Sequence, residues 1–141
     1  MEEHSSFSDL PRAIQVQLAG IGPLLFGAVV GFMLGESEAG YWVLTALSVV
    51  GGVVGGFDHA DLRAAAARGL VAGTFFAAGI VLAHEISGNA ALAEVPSPLV
   101  LLVPIAAAAG TGLGMIGGLL RARTAKQPPA QARAVGSEPG R

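Results

Sequence analysis

The chain has 141 residues, and 13% of them are charged, against roughly 25% in an ordinary soluble protein. Its 21 glycines are about twice the usual share, and its apolar residues come in long blocks, so lipid is the expected solvent. A net charge of −2 suggests no nucleic-acid partner, and the absence of cysteine excludes a disulfide, a thiolate metal site and a cysteine nucleophile.

Residues 1–12 form a short leader, expected to be flexible. Beyond it, four blocks reach or approach the roughly 20 residues, at about 1.5 Å each, that cross a hydrocarbon core. The first spans about 13–35 and holds Pro23, expected to kink it. Ser37 and Ala39 sit where a signal peptide would be cut, but the block is longer than a signal core and three more follow. The second spans about 40–57 and opens on Tyr41 and Trp42, an aromatic pair suited to headgroup depth. The third is uncharged only over 69–83 and must borrow flanking residues, giving about 66–87. The fourth spans about 98–120, with Ser97 as the expected cap and Pro98 at the first helical position. Residues 124–141, rich in Pro, Ala, Gln and Gly, read as a disordered cytoplasmic tail. The expected fold is an all-α membrane protein, with residues 13–123 forming a bundle of four transmembrane helices.

Orientation follows from the cations. Arg12 precedes the first block, Arg63 and Arg68 lie between the second and third, and Arg121, Arg123, Lys126, Arg133 and Arg141 follow the fourth. The other two connections carry no Lys or Arg, so both termini are expected in the cytoplasm. Seven arginines to one lysine, with abundant Ala, Gly and Val, suggest a high-GC prokaryotic genome and hence a plasma (cell inner) membrane.

The stretch GTGLGMIGG places Gly112, Gly114 and Gly117 in the spacing of a dinucleotide fingerprint. That motif needs a strand before it and an acidic residue about 20 positions on. Glu138, in the expected disordered tail, is the only downstream acid, so no nucleotide or other cofactor is expected. Helix packing accounts for the glycines better. Gly110, Gly114 and Gly118 line one helix face, as do Gly27, Gly31 and Gly35; Gly51 with Gly55, Gly52 with Gly56, and Gly69 with Gly73 extend the pattern. In lipid, close backbone approach must supply much of the cohesion between helices. The segments GVVGG (52–56) and GMIGG (114–118) also echo each other, as if one hairpin were used twice, and the first and fourth spans share an early proline followed by glycines four apart; glycine-rich sequence matches itself cheaply, so no transport mechanism is built on either likeness.

Few polar residues remain. His84 and Glu85 near the end of the third span, with Glu36 at the end of the first, are the candidates for a proton or ion pathway. A pair resting among the headgroups is the plainer alternative. Glu36, Glu38 and Glu94 make the outer side acidic. Asp58, His59 and Asp61 offer metal-ligand types without a closed ligand set, and capping of the next helix explains them better, so no metal is expected. No serine is accompanied by a base and an orienting acid, so no enzyme is expected. The preferred reading is a non-catalytic membrane component that associates with itself or with other membrane proteins; the alternative is a small channel or carrier using His84 and Glu85.

Overall fold

The computed structural model describes residues 12–59 and 61–125. The expected leader, apart from Arg12, and the expected disordered tail, apart from residues 124–125, lie outside the described residues. Within them the chain forms four α-helices and no strand: α1 (Arg12–Glu36), α2 (Glu38–Phe57), α3 (Leu62–Ser87) and α4 (Leu102–Ala125), the last entered through a 3-10 turn at Leu99–Leu101. Glu38–Phe57, Leu62–Ser87 and the continuous Leu99–Ala125 are each long and apolar enough to cross a membrane, and Gly20–Glu36 of α1 is a shorter apolar stretch. This is the architecture of a small membrane protein.

Local chemistry sets the helix ends. One residue, Ser37, separates α1 from α2; its backbone is extended (φ −158°), and its hydroxyl accepts a bond from the Gly40 amide at 3.1 Å. Asp61 caps α3 in the same way, accepting from the Arg63 amide at 3.2 Å. The far end of α3 stops at Gly88, whose φ of 66° lies in the left-handed region and whose amide donates to the His84 carbonyl. α3 begins before the expected residue 66, because the Ala, Leu and Arg of 62–68 are strong helix formers. Pro23 lies inside α1, which runs on through it.

The start of α4 differs from expectation. Ser97 makes no capping bond, and Pro98 only flanks the 3-10 turn. The Leu101 amide donates to the Pro98 carbonyl at 3.0 Å, so backbone closes that first turn. Pro104 then occupies the first turn of α4, where an amide has no partner within the helix.

α3 is the central helix, packed along α1 on one side and α4 on the other. A Cβ on Gly27 would collide with the Phe76 carbonyl, and one on Gly31 with that of Ile80, which fixes α1 and α3 as parallel. α4 runs antiparallel to α3: Gly69 meets the Gly110 carbonyl, Gly73 that of Ala106, and Gly114 that of Ala65. The two echoing segments, 52–56 and 114–118, lie against each other, with Gly56 on the Gly114 carbonyl and Gly117 on that of Val53. Gly79 and Gly117 join these close approaches outside the expected stripes, Gly79 against the Leu24 carbonyl. Gly51 departs from expectation in the other direction, since nothing lies within 4 Å of where its Cβ would be.

At the opposite end from Arg12, Val30, Leu34, Tyr41, Ile80 and Ala93 form a buried cluster. The rings of Phe26 and Phe76 stack beneath it with centroids 6.1 Å apart. The loop after α3 folds over this end: the Leu92 amide donates to the Leu34 carbonyl at 2.9 Å, satisfying one of the acceptors that the last turn of α1 leaves open.

Candidate functional site

α2 meets α1 at their hairpin and α4 through its last turns, but it diverges from α3 in between. The divergence leaves a cavity of about 530 Å³. Tyr41, Thr45, Ser48, Gly52 and Gly55 line it from α2, Arg68, Ala72 and Phe76 from α3, and Leu102, Ile105, Ala109 and Leu113 from α4, with Pro23 and Phe26 of α1 closing one side. Leu47, Val49 and Gly51 of α2 line it as well, so the α2 residues that border it are spread over more than one face of the helix.

Hydroxyls in and around this region are bonded mainly to their own helices. Ser48 Oγ donates to the Thr45 carbonyl at 2.6 Å, and Thr74 and Thr111 each donate to the carbonyl four residues back at 2.8 Å. Thr45 Oγ1 is buried beside Tyr41, one turn earlier, and makes no hydrogen bond of normal geometry. Arg68 is half-buried along the cavity wall next to Gly55. It is the charged residue of the lining.

The candidate pathway residues lie elsewhere. Glu36, Glu85 and Glu94 are exposed, and Glu36 Oε1 accepts from Asn89 Nδ2 at 2.8 Å. His84 is half-buried in the last turn of α3, with its Nδ1 enclosed and unbonded among the described residues. None of His84, Glu85 and Glu36 lines the cavity, and no hydrogen bond or ion pair among the described residues joins the first two to the third. The structure thus brings Glu36 to Asn89, a partner that sequence reasoning did not single out.

At the opposite end, Arg121 of α4 reaches the end of α2, where its Nη1 donates to the carbonyls of Phe57, at 3.3 Å, and Asp58. A cation on the last carbonyls of a helix also complements its dipole. Asp61 is occupied as a cap. Among the described residues no group of three His, Cys, Asp or Glu is placed to hold a metal ion. Gly112, Gly114 and Gly117 all lie inside α4, and the stretch before them is 3-10 turn and helix, not the strand a dinucleotide site requires.

Comparison with known proteins gives no match to a family model, a curated protein or a solved structure.

Proposed function

We propose that the protein is an integral membrane component whose four helices all span the bilayer, with both termini in the cytoplasm of a prokaryotic cell. In this reading it acts without catalysis, by association of its helices with other membrane proteins or with copies of itself. The observation that carries it is the distribution of polar chemistry: among the described residues no charged residue is fully buried. The grouping of Arg63, Arg121 and Arg123 at one end, opposite Glu36, Glu38, Glu85 and Glu94, supports the orientation.

Cohesion within the chain rests on glycine. Lipid gives helices little hydrophobic reason to associate, so dispersion at close range and Cα–H···O=C contacts must do it. The glycine contacts described above are internal to one chain, so a partner meets the outer faces instead. On α2 the exposed Val43, Leu47, Val50 and Val54 follow one another at intervals of four, three and four, the spacing of a helix-pair seam.

The chain contains no cysteine, so single cysteines placed at these four positions report proximity without interference. Oxidation in membranes is expected to link chains, or chain and partner, through one face of α2. Failure to link at every position, together with cation or proton flux into vesicles that is lost on replacing His84 and Glu85, favours the second reading, a small channel or carrier past His84, Glu85 and Glu36. The enclosed, unbonded Nδ1 of His84 is the observation on its side.

A further inference from the structure

We propose that the cavity between α2 and α3 holds one acyl chain of an anionic phospholipid, with the phosphate at Arg68; this rests on the membrane-spanning reading above. The cavity follows α3 from Arg68 to Ile80, about 18 Å of helix at 1.5 Å per residue. Its volume of about 530 Å³ far exceeds the roughly 10–15 Å³ that admits a single water. A mainly apolar space of that volume, extended along α3, suits one hydrocarbon chain.

It opens sideways, because Leu47 and Ile105 in its lining each remain 54% exposed. At membrane depth an apolar opening admits lipid tails and offers water few partners.

Charge selects the headgroup. Arg68 is the seventh residue of α3, about 9 Å along the helix from Leu62, where an arginine side chain reaches the interface. A guanidinium has five donors in a planar fork, so it can serve a phosphate and a protein neighbour together. Arg63, Arg121 and Arg123 lie toward the same end, against Asp58 and Asp61, of which Asp61 already caps α3. The local balance favours an anion.

The test is native mass spectrometry of the full chain released from detergent, after phosphatidylglycerol or phosphatidylcholine of equal chain length has been added. Resistance of the vesicle-bound protein to alkaline extraction is measured first, so that failure of the membrane reading is seen separately. The wild type is expected to retain one phospholipid and to prefer the anionic one about fivefold, the worth of one arginine near a membrane surface. Arg68→Gln keeps the lipid and loses the preference, whereas Arg68→Lys retains part of it. Ala72→Leu, or Gly51→Leu as a second variant, fills the cavity and lowers retention of both lipids. Equal retention of both lipids by the wild type, an unchanged preference in Arg68→Gln, or a lipid-free dimer occupying the site overturns the proposal.

Discussion

Gly69 of α3 and Gly110 of α4 face each other so closely that a Cβ on either would collide with the other's carbonyl oxygen. Each therefore sets an Hα against an oxygen, a reciprocal pair of weak contacts, with no side chain between the two backbones. Gly69→Ala or Gly110→Ala forces the helices apart and lowers stability by about 1–3 kcal/mol. The readout is the midpoint of thermal unfolding in detergent. The double variant loses less than the two single losses combined, because the first methyl has already opened the space that the second needs.

Gly51 and Gly112 form the contrast, since both lie inside helices and neither would have a neighbour within 4 Å of a Cβ. Gly51→Ala and Gly112→Ala gain helix propensity without a clash, so each leaves the midpoint unchanged or raises stability by up to about 1 kcal/mol. A loss as large as that of Gly69→Ala at either position contradicts the packing described.

Arg121 holds the end of α2 through the carbonyls of Phe57 and Asp58. Arg121→Gln gives up charge-assisted bonds at an exposed site, a loss of about 1 kcal/mol. Its clearer effect is local: the connection from Asp58 to Asp61 loosens, and trypsin cuts at Arg63 faster than in the wild type. Equal cleavage rates count against the cap.

Asn89 ties the loop after α3 to Glu36, three residues before Leu92 bonds to Leu34. Asn89→Ala therefore raises the frequency with which that loop opens. Hydrogen exchange at the Leu92 amide speeds up by about fivefold, the effect of roughly 1 kcal/mol, while amides in the middle of α3 keep their rates. No change at Leu92 means that Asn89 does not hold the loop.

The helical membrane class was legible because long apolar blocks exclude most other folds. The stretch from Asp58 to Asp61 was readable as the capping region of the next helix, while the start of α3 was placed too late, at about residue 66, because Arg63 and Arg68 break an apolar run without breaking a helix. Ser97 misled, since its capping signal is local and the 3-10 turn that follows it depends on how the loop packs. Gly79 escaped for a different reason. α3 packs chiefly against α1 and α4, so it needs a second packing face, and Gly79 lies about 120° around the helix from Gly73 at 100° per residue. The cavity could not be read at all from spacing, because it depends on where α2 parts from α3.

Four passes through the bilayer form the central claim, and sidedness tests it most directly. Single cysteines at Glu38, Asp61, Glu94 and Arg123 in the otherwise cysteine-free chain are labelled with a membrane-impermeant maleimide, in intact cells and in inverted vesicles. Label is expected at positions 38 and 94 from outside the cell only, at 61 and 123 from the cytoplasmic side only, and at neither side for a cysteine at Ile105. Labelling of all four from one side, or a chain that stays in aqueous buffer as a compact monomer without detergent, contradicts the account.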